Sequence, residues 1–486
     1  MNEIVIGKFT LESLTNGMYS SPLDLYREYV QNSVDSIDDA INKKIIKREE
    51  AQIEIRINED EKSIFIIDNG LGISFEKASK VLLDIGNSEK ERTSNRGFRG
   101  IGRLSGLGYC KRLCFITSYL GERKKTIIEF NAELLKSKLR CSNSQGESII
   151  DVLNAVTNVI VREEKESKHY FQVVMEGVDD TSRLVDSDYV KEYLVQNLPL
   201  PYKKDFHWGT IIEQKIKTVG YQIPSYCINF NDGKDNQQLF KCYENSFVSD
   251  RVKKYVKNVD DIEIIPFQCD EKLMAVLWYA KAEYSGTLLD EHIKGIRIRQ
   301  GNLLIGDKNT ANQYFKEERF NGWLLGELLI VNDALIPNAR RDDFEETEEY
   351  LSLKSMLTEW SMGISKEIRK ISLERSASAE KKKAIESVSD EDENGLIFEE
   401  LGFTDEDDEI SGEMDESSVV ANNELLDRFQ ILLGNKGNTF KYKVLNLRSD
   451  IPNDQRKMLE KVFDVLYVAY SPKKAEKIAE DIVKNY

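Results

Sequence analysis

The chain has 486 residues, enough for two to four domains at about 100–200 residues each, and its 40% hydrophobic content supplies ordinary packed cores. Lys plus Arg number 68 against 85 Asp plus Glu, a formal net charge of −17. That balance argues against a general nucleic-acid or membrane-surface binder, because phosphate neutralisation needs concentrated cations. No apolar run reaches the ~18 residues of a membrane-spanning helix. The opening MNEIVIGKFTLESL lacks the apolar stretch of a signal peptide, so a cytoplasmic protein without membrane contact is expected. The six cysteines include no C-x-x-C and the three histidines are scattered, which favours buried free thiols over a zinc site.

In chain order, an amphipathic helix is predicted over residues 23–44, with Leu25, Tyr29, Val34, Ile37 and Ile41 at helical spacing. AQIEIRI (51–57) and KSIFIID (62–68) alternate as strands around a polar turn. A short helix and a glycine-rich segment (86–108) follow. A second hairpin is predicted over 112–120 and 125–130, with further strands over 169–178 and 209–216. Helix, antiparallel strands and glycine-rich segment together predict an α+β sandwich over residues 1–216.

Residues 217–375 form a second predicted α/β unit. Its strands fall at 274–282, 295–306 and 323–331, with a hairpin turn at Gly301-Asn302 and a closing helix over 346–373. Between residues 383 and 428 there is no Lys or Arg, and DEDENG and DEDDE crowd like charge. An acidic, disordered linker is expected over 376–421. Residues 422–486 show three- and four-residue apolar spacing and are predicted to be a small helical module, of the kind used for dimerisation or partner binding.

Four short patterns carry chemistry. In REYVQNSVDSID (27–38), helical spacing puts Glu28, Asn32 and Asp35 on one stripe amid apolar residues. In IFIIDNGLGIS (64–74), an apolar strand ends in Asp68, followed by Gly70 and Gly72. A buried carboxylate there needs a partner, for which adenine's amine is suited, and the glycines let backbone approach a flat ring. RGFRGIGRLSG (96–106) holds Gly97, Gly100 and Gly102, whose amides could face phosphate oxygens; no G-K-[ST] follows, so it is not a Walker loop. The fourth is Gly209-Thr210, expected to open a strand. Each is weak alone.

Their order and spacing resemble the GHKL (Bergerat-fold) ATPases, the superfamily of DNA gyrase's ATPase subunit, ninety-kilodalton heat-shock chaperones, histidine kinases and MutL. E-x-x-x-N matches Glu28 to Asn32, D-x-G-x-G matches Asp68 to Gly72, and the lid box matches Gly97 to Ser105. The resemblance implies an ATP hydrolase requiring Mg²⁺. Glu28 would be the general base, Asn32 the Mg²⁺ ligand, Asp68 the adenine acceptor, and Asp35 a support at the same end of the pocket. Gly70 and Gly72 would make room for the base, Gly97, Gly100 and Gly102 would close over the phosphates, and Thr210 would hold water around Asp68. Ser88 and Lys90 stand where the family often has a Ser/Thr-Lys. Ser36 replaces the usual Ala.

PNARRD (337–342) resembles the chaperone's middle-domain loop, whose arginine reaches the γ-phosphate. Arg341 is the better-aligned counterpart, Arg340 the second. The resemblance thus favours a chaperone-like machine with an ATPase domain, a transducer-like middle domain, dimerisation and a protein client, in a bacterial stress or defence setting. The MutL-like GFRG lid keeps a DNA-processing ATPase as the alternative, with the net charge against nucleic acid. No His stands among the residues before Glu28, so a histidine kinase is not expected.

Overall fold

The computed structural model describes residues 21–84, 102–140, 148–249, 255–282 and 286–389, with scattered positions between 459 and 482. Two compact units divide it, residues 1–391 and 392–486. In the second, described residues 459, 461–463, 477–479 and 482 are helical. No helix among the described residues is long and apolar enough to cross a membrane.

The first unit is mixed α+β around two sheets. It opens with helix α1 (Asp24–Asn42), hairpin β1 (Gln52–Asn58) and β2 (Ser63–Asp68), and helix α2 (Phe75–Leu83). Strands β3 (Arg112–Ser118) and β4 (Lys124–Asn131), helices α3 (Ala132–Arg140) and α4 (Ile149–Val156), and strands β5 (Thr157–Glu163) and β6 (Tyr170–Glu176) follow. Helices α5 (Ser187–Asn197) and α6 (Trp208–Thr218) precede strands β7 (Cys227–Asn231) and β8 (Asn236–Gln238). These strands make an eight-stranded sheet of order β5-β4-β3-β6-β2-β1-β7-β8. Neighbours are antiparallel except β1 and β7.

Period-two alternation sets the sheet's buried face. Ile53, Ile55 and Ile57 of β1 are buried between more exposed neighbours, and Ile64 and Ile66 of β2 face the same core. Continuing that count by two lands on Asp68, so a carboxylate occupies the last core position of an apolar strand. Helix α1 covers this face with Leu25, Tyr26, Tyr29, Val30, Val34 and Ile37, all nearly inaccessible.

A ribbon of β9 (Ser246–Ser249) and β10 (Tyr255–Asn258) leads to the second sheet. Its strands are β11 (Asp261–Cys269), β12 (Lys272–Lys281), β13 (Gly295–Gln300), β14 (Leu303–Leu304) and β15 (Leu325–Ile330). Their order is β11-β12-β15-β13-β14. The β13–β14 turn holds Gly301 at φ 55° and Asn302 at φ 65°, the left-handed pair that the Gly-Asn sequence predicts for a tight hairpin. Helix α7 (Glu348–Ser389) packs Leu353, Leu357, Ile364 and Ile368 into this core.

Three expectations change. Residues 209–216, predicted as a strand, are helical within α6: Ile212 and Ile216, four apart, are both buried, so the period is 3.6 and not two. Residue 216 is not where the first sheet ends. Helix α6 packs into the second sheet's core, while β7 and β8 return to pair beside β1. Helix α7 continues to Ser389, past the predicted end at 373 and into the span read as linker.

The sheets are joined by a buried ionic hub. Glu327 of β15 is fully buried and accepts from Lys241 Nζ at 2.7 Å, Tyr202 Oη at 3.0 Å, Trp278 Nε1 at 3.1 Å and Arg299 Nε. Arg299 also donates to the carbonyls of Gln196 and Leu198, at the end of α5, and to Asn302. Burial would push the Glu327 carboxyl up, but the Lys241 and Arg299 charges outweigh it and hold it at about 2. Its stabilisation is therefore present above the ordinary carboxylate range and is lost as pH falls toward about 2. Glu327→Gln leaves two cations buried without their counter-charge. It should cost about 3–5 kcal/mol in denaturant unfolding at neutral pH and remove that acid-side loss.

Candidate functional site

The site is built where α1 crosses the end of β2. Glu28 (9% exposed) and Asp35 (7%) are buried on α1, while Asn32 and Ser36, one turn along from Glu28 and from each other, are half-buried. Glu28, Asn32 and Ser36 therefore follow one i, i+4 row along an otherwise buried helix.

Asp68 lies at 1% exposure. Its Oδ1 accepts from the Gly70 amide at 2.9 Å, whereas Oδ2 is buried and has no hydrogen-bond partner in the protein. Burial, the largest influence, pushes its carboxyl up to about 7, against the opposing pull of Ser33, the Gly70 amide and Ser36. An orphaned acceptor of this kind, deep in a core, is the feature a ligand amine would satisfy.

The chain after Asp68 is held tightly. Leu71 N donates to the Ser36 carbonyl at 3.0 Å, and Ile73 N to Thr117 Oγ1 at 2.8 Å. His169 Nδ1 lies 2.7 Å from the Gly70 carbonyl. A Cβ at Gly70 would sit 2.3 Å from Ser36 Oγ and 2.8 Å from Asp68 Oδ1. Gly72 has φ +67°, and a Cβ there would fall 2.0 Å from the Ser118 carbonyl. Both glycines are thus required by close approach, the second also by its backbone conformation.

Farther along α1, Tyr29 Oη donates to the Arg103 carbonyl at 3.1 Å and accepts from the Gly106 amide at 3.0 Å. This fixes the 3-10 turn Gly102–Gly108 against the helix, and Arg103 donates in turn to the Asp84 carbonyl. Gly102 opens that turn. Ser88, Lys90, Gly97 and Gly100 lie outside the described residues.

The second sheet contributes a loop. Arg341 Nε lies 3.1 Å from Glu28 Oε1, and Arg27 Nη2 donates to the Arg340 carbonyl at 3.4 Å. Arg341 is the arginine turned toward the site, and Arg340 is exposed. Thr210 is not brought there: it is exposed on α6, whose buried face belongs to the second core. The threonine that touches the chain following Asp68 is Thr117, carried by β3. Sequence reading missed Thr117, His169 and Ser33. Ser33 had a signal, lying on the motif helix next to Asn32; the other two arrive by strand pairing and had none.

Among the described residues no group of three or more His, Cys, Asp or Glu could hold a metal ion. A Mg²⁺ ion beside Asn32 would therefore draw most of its oxygen shell from phosphates and water. An apolar cavity lined by Leu82, Leu104, Phe130, Ile150 and Leu153 is bordered by none of the predicted site residues and is not the site described here.

Residues 24–158 match the family model described as histidine kinase-, DNA gyrase B-, and HSP90-like ATPase. The match supports a GHKL-type ATPase domain over that segment. It runs from the first residue of α1 into β5 and includes Glu28, Asn32, Asp68 and both glycines of the β2 turn. A GHKL-type domain implies ATP binding. The chain is also similar to a putative type II restriction enzyme, HgiDII, of Herpetosiphon aurantiacus, 33% identical over 106 residues. That stretch covers 20% of this chain and 15% of the relative.

The pH linkage of Asp68 follows from its burial. Its folded-state carboxyl sits above the ordinary value, so the native protein binds the proton more tightly than the unfolded chain, and ionisation costs stability as pH rises from about 4 through 7. Relative to wild type, Asp68→Asn should gain stability over that window, by up to about 4 kcal/mol, in denaturant unfolding at pH 4 and pH 8. A constant difference across pH would show that Asp68 is ionised throughout.

Proposed function

We propose that the protein binds ATP with its adenine amine on Asp68 and hydrolyses it with Glu28 as general base. The observation that carries this reading is the buried, unpartnered Oδ2 of Asp68, set across from the Glu28–Asn32–Ser36 row inside the segment that matches the ATPase family. Asp68 accepts from the base and Gly70 keeps the space beside it clear. Asp35 supports the same end of the pocket. Asn32 would hold Mg²⁺ through its amide oxygen, and the ion would supply positive charge against the phosphates. Glu28 orients a water molecule and takes its proton. Arg341 brings positive charge to the same end, where charge develops on the transferred phosphoryl group. Ser88, Lys90, Gly97, Gly100 and Gly102 form the lid side of this reading.

Beyond the chemistry, the reading is of a conformational machine resembling the heat-shock chaperone branch. Nucleotide closes the lid, two copies associate, and a protein client or partner receives the motion. The loop from the second sheet that meets Glu28 supports coupling between the ATPase segment and that sheet. A second reading, a DNA-processing ATPase, is favoured by the likeness to the restriction-enzyme relative. Salt-dependent DNA binding by the full chain would select it over the first.

Glu28→Ala should retain ATP binding and lower turnover by about 10²–10⁴-fold, because only proton transfer is removed. Asp68→Asn should abolish ATP binding. In wild type, affinity should rise with pH through about 7 as Asp68 ionises and becomes a full acceptor. Equilibrium binding of radiolabelled ATP and phosphate release test all three; unchanged turnover in the Glu28 variant removes its assignment as base.

A further inference from the structure

The hub at Glu327 holds more positive charge than Glu327 balances. Lys241, Arg297 and Arg299 stand at 1%, 3% and 3% exposure, and Glu327 is the buried carboxylate among them. Three cations to one carboxylate leave an excess of two charges where water cannot offset them. Burial, the largest influence, holds the Lys241 ammonium down to about 8; Glu327 opposes the shift and Arg299 adds to it. Glu213 and Asp307, whose charges reach Lys241 and Arg297, lie at the surface.

Arg297 is the member left without a counter-charge. Alternation on β13 puts it on the same face as Arg299, and the strand register sets it beside Glu327. Both Glu327 oxygens are already taken, Oε1 by Arg299 and Oε2 by Lys241, Tyr202 and Trp278. Arg297 makes one hydrogen bond, from Nη2 to the Glu291 carbonyl at 2.7 Å, and among the described residues it has no ion pair. Its other guanidinium N–H groups have no acceptor in the protein. None is sealed in the way Arg27 Nε is, so they face the small surface that Arg297 keeps. The half-buried Cys242 thiol stands in the field of Lys203, Arg297 and Arg299, with Asp290 opposing them.

We propose that Arg297 is the floor of a site for a small tetrahedral oxyanion, inorganic phosphate or sulfate, which supplies the negative charge the hub lacks. A guanidinium presents a planar fork of donors that two oxygens of such an ion match. A divalent oxyanion equals the excess of two charges. At 3% exposure Arg297 is too deep for a phosphate carried on a polymer backbone or a membrane, so the ligand is a free ion. Arg299 ties the same hub to the carbonyls of Gln196 and Leu198, so the bound ion also firms the joint between the two sheets. The site shares no residue with the Asp68–Glu28 site and does not depend on the nucleotide reading.

Thermal unfolding of the full chain tests this, in sodium phosphate or sulfate against sodium chloride of equal ionic strength. At about 10 mM, both oxyanions should raise the wild-type midpoint over chloride by about 1–3 °C. Arg297→Met should lose that gain, whereas Asp68→Asn, altered at the nucleotide site, should keep it. An equal gain in Arg297→Met refutes the site, because a general salting effect acts on both proteins alike. No gain in wild type refutes it as well. Loss of the gain in Asp68→Asn places the ion in the nucleotide pocket and also overturns the assignment. Where Arg297→Met does not fold, wild type alone decides. Phosphate should slow iodoacetamide labelling of Cys242 about fivefold, by covering the thiol and cancelling the positive field around it. Cys227 and Cys269, also half-buried, should keep their rates, as read by peptide mass. An unchanged Cys242 rate in phosphate refutes the site.

Discussion

Glu327 is the constraint on which the geometry of the site depends. One buried carboxylate collects four donors, and two of them, Lys241 and Arg299, are cations. Neutralising buried cations in this way fixes their positions, since any displacement leaves charge uncompensated in a medium that cannot solvate it. Arg299 carries the constraint outward. By donating to the carbonyls of Gln196 and Leu198 it ties the end of α5, part of the first sheet's core, to the second sheet. Asn302 adds bonds to the Leu200 and Pro224 carbonyls from the same hairpin. The loop that carries Arg341 springs from the second sheet, so the registry of its guanidinium against Glu28 is inherited from this clamp.

The site itself is a compromise between packing and chemistry. Helix α1 must be apolar enough to cover the sheet, yet it carries Glu28, Asn32 and Asp35 on the same turns. Asp68 takes the last inward position of an isoleucine-rich strand, where a valine or leucine would pack without electrostatic cost. Such a carboxyl is stable there only if something donates to it or if it keeps its proton. The raised carboxyl and the open Oδ2 are two views of that unmet demand. Local rules broken at one point, amid elements that obey them, mark a place where the sequence serves something besides folding.

The contrast between the two arginines shows how little separates a surface charge from a site residue. Arg340 and Arg341 are adjacent, but Arg341, at φ +58°, is half-buried against Glu28 while Arg340 is exposed. Arg340 instead offers its backbone carbonyl, the acceptor for Arg27.

Much of this was legible in the chain alone. The alternation in QIEIRIN and SIFIID fixes a hairpin with Asp68 at its end, and helical spacing fixes Glu28 and Asn32 on one row, because both periods are properties of local backbone geometry. Gly301-Asn302 specifies its own turn for the same reason. Residues 209–216 were misread because a short apolar segment suits either period, and the second core, not the segment, decides that it is a helix. Thr117 and His169 were beyond sequence reading, because they reach the chain after Asp68 only through the order in which distant segments pair. Arg341 was preferred over Arg340 by its place in PNARRD, but its contact with Glu28 depends on the placement of one sheet beside the other. Local periodicity determined which side chains face inward; only the tertiary structure decided which of them meet, because meeting is set by pairings between segments far apart in the chain.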